Sequence, residues 1–287
     1  MTAIRHVAAV DALGEFLPLG GAVGSQHADL LIGYTGQDLA SAGPPACWPG
    51  ESLLKRVGVR RGLSRAECLA IGDGYLEYRH ALARQTTWQM PRLAEVVAHG
   101  GDQEWHLLLI EQYVRGESLS AFLGSTRHSA EYRQAALAAV LRNVLSHPET
   151  NRAISVNGHR LRLVGQGVDL KPSNVVVATI GSPYLVDQFP PLLLDGSGAV
   201  RFRWERLHTF SEEKLKILCF TKAGAMLRLL RLLQLSARSV EEAARLTRGF
   251  LATVQAVGPR QTDWRFLWQE VQANFPTLRR LYAGATS

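Results

Sequence analysis

Asp169, Lys171, Asn174 and Asp187 are the residues of this 287-residue chain whose types and spacing could do chemistry. The first three lie in Gly165-Gln-Gly-Val-Asp-Leu-Lys-Pro-Ser-Asn-Val-Val-Val177, and the fourth closes the run Pro183-Tyr-Leu-Val-Asp187. Asp169 and Asn174 are five apart in a polar loop that leads into a β-branched run, Val175 to Ala178. A second apolar run, Tyr184 to Val186, ends on Asp187, thirteen residues after Asn174. That is the length a two-strand excursion needs to return to its own starting end. An Asn and an Asp converging there offer oxygen ligands to a hard cation such as Mg2+ that also holds phosphate oxygens. Asp169 is then left to orient or deprotonate a hydroxyl. Asp, Pro, Ser and Asn are also good turn formers, so a simple turn is the competing reading.

Asp169-Leu-Lys-Pro-Ser-Asn174, an apolar strand and then Asp187 resemble the catalytic and metal loops of the protein-kinase-like superfamily, which includes the aminoglycoside and choline phosphotransferases. The resemblance implies that Asp169 accepts a substrate hydroxyl proton, that Asn174 and Asp187 hold Mg2+, and that Lys171 faces the transferring phosphoryl group. Three positions depart from the family pattern. Gly167 stands where His is common, Val168 replaces the usual Arg or Gly, and Gln188-Phe189 follows Asp187 in place of Phe-Gly.

Other stretches must position this loop and a nucleotide. Glu15 to Leu19 and Ala28 to Gly33 predict a strand pair around a glycine-rich turn. Gly20, Gly21, Gly24 and Ser25 would let backbone N–H groups approach phosphate oxygens, although the spacing is not G-x-G-x-x-G. Tyr34 to Gly50, rich in Gly, Pro, Ala and Ser, predicts an irregular insertion. Glu51 to Val57 predicts a strand, and strand alternation lets only one of Lys55 and Arg56 face the phosphates. Lys55 is the candidate for the α- and β-phosphate grip. Ser64-Arg-Ala-Glu67 is a capping box that opens a helix to about Arg84. By the resemblance, Glu77 on that helix pairs with Lys55; a solvent-facing helix charge is the bland alternative. Trp105 to Leu119 predicts a buried strand, a polar turn and a helix. It resembles the family's hinge, in which the backbone of Glu111, Gln112 and Tyr113 would meet an adenine edge.

Arg133 to His147 has helical periodicity, and Asp195-Gly-Ser-Gly198 turns a hairpin-like segment from Leu192 to Trp204. No Ala-Pro-Glu follows, which points away from a regulated protein kinase. Ser211 opens a helix to about Leu235, apolar nearly all round and so central to its lobe. Ser239 to Val257 and Thr262 to Tyr282 predict two more helices, with Trp264, Phe266, Leu267 and Trp268 as core and groove wall.

Composition sets the outer bounds. Hydrophobic residues make up 46% and charged residues 20%, values of an ordinary globular protein. No segment has the uninterrupted apolar length of a membrane span, and the N-terminus has too short an apolar run for a secretory signal, so an intracellular, cytoplasmic location is expected. Three scattered cysteines fit neither a disulfide framework nor a zinc motif, and nine unclustered histidines argue against a transition metal. A net charge of +7 favours polyanionic partners, nucleotide phosphates before nucleic acid, because the basic residues are scattered.

These readings converge on an α+β, two-lobed kinase-like fold: a β-rich lobe over residues 1–112 and a mainly helical lobe over 113–287. The expected activity is transfer of the γ-phosphoryl of ATP, with Mg2+, to a hydroxyl of a small natural product or of a peptide Ser/Thr. A phosphorylated peptide would then suit dehydration by a partner lyase. The alternative is a pseudokinase that kept the fold as a peptide- or partner-binding protein.

Overall fold

A computed structural model describes residues 4–7, 15–18, 28–34, 52–57, 63–100, 104–202 and 210–283. Gly20, Gly21, Gly24, Ser25 and nearly all of the expected Tyr34 to Gly50 insertion lie outside the described residues. The chain is α+β and divides into two compact units. One comprises Met1–Glu77, Pro91–Val114 and Trp204–His208; the other comprises Tyr78–Met90, Arg115–Arg203 and Thr209–Ser287. Residues 78–90, assigned to the first lobe on sequence, thus belong with the second unit.

The first unit is built on a six-stranded sheet, β1 (Ile4–Val7), β2 (Glu15–Pro18), β3 (Ala28–Tyr34), β4 (Ser52–Val57), β5 (Leu93–Gly100) and β6 (Trp105–Gln112), in the order β1-β5-β6-β4-β3-β2. All neighbours are antiparallel except β1 and β5. The pairing of Glu15 with Tyr34 through Pro18 with Leu31 makes β2 and β3 the expected strand pair. Leu107, Leu108, Leu109 and Ile110 of β6 are fully buried, as a strand flanked on both sides and covered on both faces requires. Helix α1 (Arg65–Gln85) starts where the capping box places it. The Glu67 N–H donates to Ser64 Oγ at 3.2 Å and the Ser64 N–H to Glu67 Oε2 at 2.8 Å.

The second unit pairs β7 (Gly116–Ser118) with β10 (Val175–Ala178) and β10 with β11 (Pro183–Leu185). A two-stranded ribbon, β8 (Glu149–Val156) with β9 (His159–Val164), stands beside helices α2 (Leu119–Gly124) and α3 (Ala130–Ser146) in sequence. Helices α4 (Glu212–Phe220), α5 (Lys222–Leu235), α6 (Val240–Val257), α7 (Gln261–Gln272) and α8 (Pro276–Ala283) complete the unit. Residues 223–230 of α5 are all buried, which makes it the central helix that its composition predicts.

Two long helices expected from the sequence are each broken in two. Ser211 to Leu235 is interrupted at Thr221, which is extended at φ −119° and ψ 141°. Its hydroxyl donates to Ile217 O at 2.8 Å and accepts from Gly224 N at 2.9 Å, closing α4 and capping α5 with one side chain. A Cβ at Gly224 would sit 1.7 Å from Ile217 O, so the close crossing needs glycine there. The second break follows Gln272, where Asn274 and Phe275 take positive φ (55° and 57°) and Pro276 cannot continue the preceding helix. Phe266 and Leu267 are core as expected, whereas Trp268 is 45% exposed and is not.

Candidate active site

The hairpin β10–β11 does what the spacing of Asn174 and Asp187 requires. Val175 pairs with Leu185 and Val177 with Pro183. The Val186 N–H donates to Asn174 O at 2.9 Å, so Asp187 begins one residue from the point where the excursion started. Before the hairpin, Pro172–Asn174 forms a single 3-10 turn with Pro at its first position. The Asn174 side chain closes the loop: its Nδ2 donates to Asp169 O at 3.0 Å. That bond turns the amide oxygen of Asn174 away from the loop backbone, where it accepts only a 3.3 Å contact from Ser173 Oγ. Asn174 Oδ1 and the Asp187 carboxylate are hard oxygens at one loop end, the residues that could hold a cation such as Mg2+. Asp187 Oδ1 also accepts from Phe189 N at 3.3 Å. Among the described residues no group of three or more His, Cys, Asp or Glu could hold a metal.

The Asp169 carboxylate faces two cations. Lys171 Nζ stands 3.0 Å from Oδ2, and Arg228 Nη1 of α5 stands 2.5 Å from Oδ1. Lys171 is 43% exposed at its side chain and Arg228 only 5%. The Arg228 contact is a close ion pair without hydrogen-bond alignment, since Asp169 Oδ1 has no aligned donor and Arg228 Nε is buried with no partner. Arg228 Nη1 also donates to Cys219 Sγ at 3.4 Å. Burial pushes the Cys219 thiol up to about 12 and the Cys68 thiol up to about 11, so both buried free cysteines are inert thiols. Cys47 lies outside the described residues.

The three departures from the kinase-like pattern have physical accounts. Val168 N donates to Cys219 O and Gly167 N to Leu192 O, each at 2.9 Å, so the loop is laced to the last turn of α4. A Cβ at Gly167 would lie 2.9 Å from Cys219 O and 3.1 Å from the Phe220 ring, leaving no room for a His. Two other side chains brace the loop instead. Tyr78 Oη donates to Gly167 O at 2.6 Å, and burial raises that phenol well above its ordinary pKa. Trp88 Nε1 donates to His147 Nε2 at 2.9 Å, which leaves the proton on His147 Nδ1, 2.9 Å from Gln166 O. Gln188, in place of the usual Phe, is buried; its amide donates to Leu185 O and its oxygen accepts from Arg79 Nη1 at 2.5 Å.

In the first unit, Lys55 Nζ lies 2.7 Å from Glu111 Oε2, and Tyr75 Oη donates to Glu111 Oε1 at 2.6 Å. Glu111, read from sequence as a backbone contact at a hinge, therefore carries a buried side-chain network. Its backbone is inside the sheet, opposite Leu53 of β4 and Leu93 of β5. The Gln112 N–H donates to Arg92 O at 2.8 Å, so two of the three expected hinge residues have backbone groups in use. Tyr113 follows the end of β6. Glu77 is exposed on α1.

Arg228, Tyr78 and His147 touch the loop and were passed over by the sequence reading. The signal for Arg228 was a cation set within the apolar run Ala225 to Leu230, since a buried Arg needs a partner. No protein-family model matches the chain, and no curated protein matches it.

Proposed function

We propose that the chain is a two-lobed kinase-like phosphotransferase that moves the γ-phosphoryl of Mg-ATP to a hydroxyl of a small molecule or of a peptide Ser/Thr. The observation that carries the reading is the pair of bonds from Asn174 Nδ2 to Asp169 O and from Val186 N to Asn174 O. They tie a base, an amide oxygen and a second carboxylate to one loop end, an arrangement a bare turn has no need of. The order of elements in the first unit supports it too: a strand pair, a strand carrying Lys55, a helix, then two strands. Mg-ATP supplies the phosphoryl group and the metal offsets its charge, with Asn174 and Asp187 as the residues that would hold the metal. Asp169 takes the hydroxyl proton as the acceptor oxygen bonds to phosphorus and the bridging P–O bond breaks, its electron pair leaving on ADP. Lys171 and Lys55 offset phosphate charge, so catalysis is positioning and electrostatics.

Thermal melts with ATP alone, Mg2+ alone and both test this. A ligand at a hundred times its dissociation constant adds about 2.7 kcal/mol, a shift of several degrees. A rise that needs both ligands is the expected result; no rise with either or both would end the proposal.

A specific observation favours the second reading, a pseudokinase. Both oxygens of Asp169 stand against cations, Lys171 and Arg228, which compete with a substrate hydroxyl for the carboxylate. A melt that rises with ATP irrespective of Mg2+, without phosphoryl transfer to any hydroxyl, would select it.

A further inference from the structure

Beside Asp169, Arg228 has a second buried cation, Lys214, for a neighbour. Lys214 of α4 is 5% exposed, yet no carboxylate among the described residues is within ion-pair reach of it. Its ammonium instead lies 3.3 Å from the ring centre of Tyr282 and 4.2 Å from that of Phe210. Phe210 also carries the Arg228 guanidinium, 5.0 Å from its ring centre. Phe210 and Tyr282 meet edge to face at 6.2 Å. Phe210 thus joins Lys214 to Arg228, and Arg228 in turn contacts Asp169. Of these cations Arg228 and Lys171 face the Asp169 carboxylate, whereas Lys214 stands behind Arg228 with two rings for partners. Arg228 Nε is a buried donor with no partner. Burial first, then the charge of Arg228, lowers the pKa of the Lys214 ammonium, the direction an uncompensated cation must show. Tyr282, 44% exposed, is the outer wall of the cluster.

A buried cation without a counterion is costly, and proteins keep such groups where a ligand supplies the missing charge. We infer that the acceptor site beside Asp169 takes a small hydroxyl compound bearing an anionic group, a carboxylate or a phosphate ester, held by Lys214 and Arg228 beside the Phe210 and Tyr282 rings. This rests on the phosphotransferase reading and narrows it. Two neighbouring buried cations, Lys214 and Arg228, favour an anionic acceptor over a cationic one. The anion-bearing compound presents its hydroxyl to Asp169, which receives the proton as the new O–P bond forms and ADP leaves.

The test omits nucleotide, so its outcome is separate from that of the Mg-ATP melts. Glycerate, glycerol 3-phosphate, glycerol and choline are titrated at constant ionic strength into the wild-type chain, Lys214→Met and Lys214→Arg, with circular dichroism confirming that each variant is folded. Glycerate or glycerol 3-phosphate should bind and raise the melting midpoint, the stronger of the two identifying the anion, while glycerol and choline should not. Lys214→Met should weaken that binding at least about tenfold and Lys214→Arg should retain it. Failure of both anions to bind, choline binding as well as they do, or equal anion binding by Lys214→Met would overturn the inference. Mg-ATP stabilisation without anion binding would leave the phosphotransferase reading standing alone, and anion binding without Mg-ATP stabilisation would do the converse.

Discussion

Lys55 Nζ and Glu111 Oε2 form an ion pair 2.7 Å apart with side chains 7% and 0% exposed. Strand geometry makes the pair. Leu53 lies opposite Glu111 and Lys55 opposite Leu109, so Lys55 and Glu111 are diagonal neighbours on one face of adjacent strands. Removing one partner of a buried pair leaves the other charge uncompensated, which costs about 3–5 kcal/mol. Lys55→Met should therefore lower stability by that order in urea unfolding. Glu111→Gln, which can still accept from Tyr75 Oη, should be milder. A Lys55→Met variant as stable as the wild type would show that the pair contributes nothing to the fold.

Asp187→Asn keeps the size of the side chain and an oxygen able to accept from Phe189 N. It removes the negative charge that would hold Mg2+. The expected outcome is unchanged unfolding stability within about 0.5 kcal/mol, loss of the stabilisation that needs ATP and Mg2+ together, and turnover lowered at least about a hundredfold. Retention of the joint ATP and Mg2+ shift by this variant would refute the metal assignment.

Gly167 is where the loop departs most visibly from the kinase-like pattern, and its reason is steric. An added Cβ would press on Cys219 O at 2.9 Å and Phe220 at 3.1 Å, in the segment to which Val168 N bonds. Overpacking of this kind costs about 1–3 kcal/mol. Gly167→Ala should lower stability in that range, and Gly167→His, restoring the pattern's residue, should be worse than Ala. A Gly167→His variant as stable as the wild type would show that the loop has slack and that the departure needs another explanation.

Local signals carried much of this into the sequence. The capping box at Ser64, the hairpin around Asn174 and Asp187, and the turn where Asp195 Oδ1 accepts from Ser197 N and Ala199 N are all short-range. Their determinants sit within a few residues of each other, so they can be read without the fold. The ribbon β8–β9 could have been read too: Asn157-Gly158, both at positive φ, is a strong hairpin pair between alternating runs. The parallel pairing of β1 with β5 could not, because nothing near Ile4 encodes a partner near residue 96. The helix breaks at Thr221 and Asn274 hid behind continuous periodicity, since one side chain or two backbone angles redirect the chain while the apolar rhythm runs on. In the candidate site, the polar residues of one loop were legible, whereas Arg228 reaches Asp169 from α5 and becomes visible only when that helix is packed.

His147 gives the site a dependence on pH through stability. Burial first, and then the charge of Lys222, lowers its pKa from 6.5 to about 4 despite the favourable bond to Gln166 O. The folded chain therefore keeps His147 neutral at pH values where the unfolded chain has already bound the proton. Stability from this group is full above about pH 6.5, falls as the pH drops toward 4, and levels off below that, a total of about 3 kcal/mol. His147→Gln can still accept from Trp88 Nε1 and donate to Gln166 O, but it does not titrate. Urea unfolding of wild type and His147→Gln at half-unit steps from pH 7.5 to 4 should show the wild type losing more stability across that interval. Carboxylates common to both proteins cancel in the difference. Parallel curves would mean that His147 takes up its proton as readily in the folded as in the unfolded chain, and so that burial does not hold it neutral.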